Sequence, residues 1–82
     1  MKHSLSIEVK NQSIALERFL RVTRHRGFTV LKMNVESSPE NYVVNMMIDS
    51  DRPLYLLTQQ LKKLVEIKHV TVLDKHILAA TN

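Results

Sequence analysis

The chain has 82 residues, enough for one domain and too few for a second. It contains no cysteine, which excludes disulfides and thiolate metal sites, and its 44% hydrophobic and 24% charged residues are the balance of an ordinary globular protein. Twelve Lys and Arg against eight Asp and Glu leave a net charge of +4, better read as a soluble surface than as a nucleic-acid footprint.

The first element is a half-buried strand, because Leu5, Ile7 and Val9 alternate with Ser4, Ser6 and Glu8. Asn11-Gln12-Ser13 interrupts it, and Ser13 is the expected N-cap of a helix over 14–26. Leu16, Leu20 and Thr23 form that helix's expected apolar row, broadened by Phe19 and Val22. Arg24, His25 and Arg26 suit the negative end of the helix dipole, and Gly27, the one glycine of the chain, follows as a left-handed stop. Phe28 to Ser37 reads as a second strand whose alternation slips around Val30, Leu31 and Met33, which points to a bulge or to a strand with two partly covered faces. A turn through Ser38 and Pro39 leads into a third strand over 42–49, so the two strands should form an antiparallel hairpin.

Asp51 is the expected cap of a second helix with Pro53 in its first turn, and Leu54, Leu57, Leu61 and Leu64 recur at helical spacing. Val65 to Leu73 reads as a fourth strand. Residues 1–74 are expected to form the single domain and residues 75–82 a C-terminal tail. No apolar run approaches the roughly 18 residues that span a bilayer, and the N-terminus lacks the apolar core of a secretory signal, so no membrane contact and a cytoplasmic location are expected.

The order strand, helix, strand, strand, helix, strand, with one apolar stripe per helix, points to an α+β fold: a ferredoxin-like βαββαβ domain with two helices on one face of a four-stranded antiparallel sheet. So short a chain buries only roughly 60% of the surface its unfolded form exposes. Without disulfides, it is expected to gain stability by association. The uncovered sheet face carries Val43 and Met47, which makes it one candidate partner surface; the face of the first helix around Arg18 and Arg21 is another.

Chemistry is hard to place on this chain. Its four histidines have no ligand-pair spacing, which points to no bound metal and no cofactor, and with one glycine no phosphate-cradling loop can exist. Acylphosphatases share the topology but carry a glycine-rich, arginine-containing loop where this chain has Lys10-Asn11-Gln12-Ser13. RNA-recognition motifs need aromatic side chains on the open face of strands one and three, and here those positions carry none. What remains is the turn after the first strand, where Asn11 adjoins a helix N-terminus able to receive a carboxylate.

The stretch Val9 to Arg18, followed by Arg24-His25-Arg26-Gly27-Phe28, resembles the start of the ACT domains in acetolactate synthase small subunits. That family has Asn at the turn, Gly-Ala-Leu at the helix start, an Arg, and then Arg-Gly-Tyr/Phe opening strand two. Gln60 to Val65 is similar to the family's exit from helix two, and the chain looks most like the short, isozyme II branch. The resemblance implies a non-catalytic regulatory subunit in branched-chain amino acid biosynthesis. Its partner would be a large catalytic subunit holding thiamine diphosphate, Mg²⁺ and FAD, and its ACT domains would pair as a homodimer by extending the sheet. It also implies an effector-site equivalent at Asn11, Ser13, Ile14 and Thr29. Valine-sensitive members have glycine at position 14 and asparagine at position 29, so valine binding is expected to be weak or absent. A stand-alone amino-acid sensor and, further off, an RNA-binding module are the alternatives.

Overall fold

The computed structural model describes residues 1–73; the expected C-terminal tail lies outside the described residues. The elements are β1 (Lys2–Lys10), α1 (Ser13–His25), β2 (Thr29–Ser37), β3 (Asn41–Asp49), α2 (Leu54–Lys62) and β4 (Ile67–Val72). The strands form one antiparallel sheet in the order β2-β3-β1-β4, so β1 and β3 are central and β2 and β4 are edges. Both helices cover one face of it. Leu5, Ile7 and Val9 from β1 and Val44, Met46 and Ile48 from β3 meet Ala15 and Phe19 of α1 and Leu57 and Leu61 of α2 in a single buried cluster. Among the described residues no helix is long and apolar enough to cross a membrane.

Cross-strand pairing sets the faces. Glu8 pairs with Val43, Ser6 with Asn45 and Ser4 with Met47, which puts the polar half of β1 and the exposed half of β3 on the uncovered side. The register of β2 on β3 shifts between Val30 and Lys32, so Leu31 is the extra residue of the expected bulge. The shift lets Val30, Met33 and Val35 all oppose inward residues of β3 (Ile48, Met46 and Val44).

Four local expectations need correction. The N-cap of α1 is Gln12, whose φ of −132° and ψ of 138° are extended, so Ser13 is already the first helical residue. The N-cap of α2 is Pro53, not Asp51. The organising side chain there is Ser50: its hydroxyl donates to the Gly27 carbonyl at 2.9 Å and accepts the Arg52 N–H at 3.0 Å. The buried row of α1 is Ala15, Phe19 and Thr23, with Leu16 and Leu20 half-buried at its rim. A buried threonine is tolerable because its hydroxyl donates to the Phe19 carbonyl at 2.9 Å. Finally, β4 begins at Ile67; Val65 is 78% exposed in the preceding turn.

Gly27 ends α1 as its position suggested. Its φ is +85°, its N–H donates to the Arg24 carbonyl at 3.0 Å, and the Phe28 N–H donates to the Thr23 carbonyl at 3.2 Å. This pair of bonds is a Schellman stop, and it drops the buried Phe28 ring under the helix end. Gly27→Ala should cost about 1–2 kcal/mol, because an alanine must hold the left-handed conformation. For a domain of this size, melting should then fall by about 4–8 °C per kcal/mol, which a calorimetric scan reads directly.

Candidate functional site

The turn from β1 to α1 is fastened on two sides. The Lys10 N–H donates to the Glu66 carbonyl at 2.8 Å, and the Asn11 N–H donates to the Glu40 carbonyl at 2.9 Å. The Asn11 side-chain amide reaches the β2–β3 hairpin, donating to the Ser38 carbonyl at 2.6 Å and to Ser37 Oγ at 3.4 Å. Its donor is therefore committed within the chain. In the first turn of α1 the Ala15 N–H donates to the Gln12 carbonyl at 3.0 Å, and among the described residues no side-chain cap hydrogen bond closes the helix start. Ile14 follows with 49% of its surface exposed, a large apolar side chain at the positive end of the helix.

Thr29 lies elsewhere. It opens β2 opposite Asp49, which itself pairs with Lys2, whereas Asn11 follows the far end of β1 beside Asn41. Nine-residue strands at about 3.3 Å per residue separate the two ends by roughly 25 Å. Within one protomer, then, the structure brings Asn11 and Ile14 together and leaves Thr29 apart. At the Thr29 end, a hydrogen bond from the N-terminal ammonium at 3.0 Å holds the Asp49 carboxyl below its ordinary range.

The two candidate partner surfaces also differ. Arg18 is engaged: its Nη1 lies 3.1 Å from Glu66 Oε1, with the arginine side chain 51% exposed and the glutamate side chain 5%. Arg21 is exposed and joins Arg24 and His25 around a hollow of about 360 Å³. On the open sheet face, Val43 and Met47 are each 37% exposed. Met47 borders a shallow groove of about 220 Å³ with Ser4, Lys32, Asn34, Asn45 and Leu73. Among the described residues no cluster of three or more His, Cys, Asp or Glu could hold a metal ion.

Two residues of consequence had no signal in the sequence. Glu66 sits just before β4 and is 4% exposed, and one of its oxygens, Oε2, has no hydrogen-bond partner among the described residues. Arg52 lies against Gly27, where a Cβ would come within 2.8 Å of its Nε. Both depend on contacts between segments distant in the chain.

An open four-stranded sheet, two helices on one face and a hydrogen-bonded turn at the mouth of α1 fit an ACT domain, and the family model for the ACT domain matches residues 11–70. The chain is 39% identical over 74 residues to the acetolactate synthase isozyme 2 small subunit of Escherichia coli K12, covering 88% of this chain and 85% of that protein. It matches the Shigella flexneri protein of the same name equally well. The chain thus belongs to the acetolactate synthase small-subunit family of ACT-domain proteins. In fold it is similar to the Thermotoga maritima acetolactate synthase small subunit (TM-score 0.75, 24% identity, 88% of this chain and 47% of that one). The ACT domain of Chlorobium tepidum GTP pyrophosphokinase is also similar in fold (TM-score 0.77, 14% identity, 88% and 96%).

Proposed function

We propose that this chain is a non-catalytic, cytoplasmic activating subunit of an acetolactate synthase and that it does not respond to valine. The reading rests on one observation: 39% identity running through nearly the full length of both this chain and the small subunit from Escherichia coli. Residues 1–74 would make up the ACT domain and the remainder a tail. Thiamine diphosphate, Mg²⁺ and FAD would belong to the large subunit, which joins two 2-oxo acids; this chain would supply contacts that hold the large subunit in its active form.

The β1–α1 turn supports insensitivity to valine. Glycine at position 14 would let an effector carboxylate reach the helix amides, and the exposed Ile14 side chain obstructs that approach. The Asn11 amide donor is already given to Ser38, which leaves less to offer an amino acid. Two copies would associate through β2, a nine-residue edge strand with unpaired backbone groups along its outer side. An antiparallel pairing centred on that strand would carry Thr29 of one copy to the Ser37 end of the other, beside Asn11. The four effector-site equivalents would then meet only in the dimer.

The test is reconstitution. Adding this protein to purified large subunit should raise acetolactate formation severalfold, and an unchanged rate would overturn activation. Titrating the protein with valine in a calorimeter should give no binding heat; a saturable heat would overturn insensitivity.

A further inference from the structure

Four of the chain's five arginines gather around the C-terminal end of α1. Arg21, Arg24 and His25 line one hollow; His25, Arg26, Arg52, Leu56 and Gln60 line a second, of about 350 Å³. The two share His25 and so form one track from the flank of α1, past Arg52, to the side of α2. Among the described residues no carboxylate lies within ion-pair distance of Arg21, Arg24, Arg26 or Arg52. By contrast, Arg18 on the same helix is paired with Glu66. Arg24 and His25 also suit the negative end of the helix dipole, but Arg26 lies beyond the last helical turn and Arg52 comes from another segment.

The track has a fixed frame. Ser50 is 8% exposed, and its hydroxyl ties the Gly27 carbonyl to the Arg52 amide. That bond holds the 50–52 loop against the end of α1. With no Cβ at Gly27, the Arg52 side chain can lie against that residue. Holding arginines in place reduces the ordering cost of binding, and a planar guanidinium matches a carboxylate in a two-point contact.

We propose that this track is a docking surface for an acidic, carboxylate-bearing segment of the large subunit, a site that rests on the functional reading above. Charge complementarity carries the assignment: four arginines with no ion-pair partner among the described residues make a cationic strip that attracts carboxylates, and acidic residues three or four apart on a helix stand about 5–6 Å from one another, close enough to engage neighbouring guanidiniums. Nucleic acid fits the site less well. Leu56 and Gln60 close one end, the track is short, and the exposed side of β3 presents Val43, Asn45 and Met47, none of which offers a ring for a base to stack on.

The experiment measures binding of the full-length protein to the purified large subunit at low and moderate salt. It compares wild type with Arg24→Glu/Arg52→Glu and with Arg24→Lys/Arg52→Lys, all checked for unchanged melting. Charge reversal should weaken binding about tenfold or more at low salt and flatten the salt dependence, while the lysine variant keeps most of the affinity. Wild-type binding that reversal leaves intact overturns this site and leaves the functional reading standing. Wild type that fails to bind the large subunit overturns both. A fluorescent poly-glutamate peptide should compete with the large subunit; competition by single-stranded RNA but not by the peptide assigns the track to nucleic acid and overturns the proposal.

Discussion

Phe19→Ala is expected to abolish the folded domain at physiological temperature, and with it every contact proposed above. Phe19 is fully buried at the centre of the α1 stripe, against β1 strand residues that are themselves fully buried. Truncating a buried Phe costs about 3–5 kcal/mol, the lost transfer energy plus the cavity left behind. Domains hold only roughly 0.05–0.15 kcal/mol of stability per residue, about 4–12 kcal/mol for 82 residues, so the loss takes a large share of the whole and, at the low end of that range, all of it. The melting temperature should fall by at least about 15 °C, or the cooperative transition should vanish. Met47→Ala is the matched control. Its side chain is 37% exposed on the uncovered face, and its effect should stay within about 0.5 kcal/mol. If both variants melt alike, the assignment of the inner and outer sheet faces is wrong.

The consequence reaches the β1–α1 turn because α1 is held chiefly by its apolar face. Among the described residues no side-chain cap hydrogen bond fastens the start of α1, and the helix closes through the Gly27 stop. A weakened stripe would therefore free both the Asn11–Ile14 turn and the Arg21–Arg26 cluster. Loss of large-subunit activation by Phe19→Ala would report unfolding, whereas loss by Arg24→Glu/Arg52→Glu with unchanged melting would report a surface. Melting curves measured beside activity separate the two.

What the sequence makes legible here is what neighbouring residues decide among themselves. The period-two alternation of Leu5, Ile7 and Val9, the slip at Leu31 and the glycine stop after His25 are all short-range patterns, and the structure keeps each of them. The edges of elements are less legible, since Gln12 and Pro53 take their capping positions through backbone dihedrals that the neighbouring Ser13 and Asp51 do not control. The centre of the α1 stripe is not legible locally, because apolar residues cover so wide an arc that only packing on the sheet selects Phe19 over Leu20. At the candidate site, Asn11 and Ile14 are joined by chain proximity. The distance to Thr29 follows from strand register, and the burial of Glu66 from how the connection between α2 and β4 closes on β1.

Glu66 leads to the second large effect. Arg18→Ala should destabilise the domain by about 1–3 kcal/mol, well above an ordinary surface substitution, because it strands a buried carboxylate. Glu66 Oε1 has Arg18 as its ion-pair partner at 3.1 Å, and Oε2 has none. The half-exposed position of Arg18 lets water replace part of what the guanidinium supplies, which keeps the cost below that of a fully buried pair. The charge is the cause, so removing it should restore stability. Arg18→Ala/Glu66→Gln should melt above Arg18→Ala alone, since a neutral amide is cheaper to bury unpaired than a carboxylate. The Glu66 carbonyl also accepts the Lys10 N–H, so the stranded charge would loosen the segment that fastens the Asn11 turn, and hydrogen exchange at Lys10 and Asn11 should quicken in the single variant and slow again in the double. If Arg18→Ala instead leaves melting unchanged but weakens large-subunit binding, Arg18 belongs to the partner surface and the Glu66 pair contributes nothing to stability.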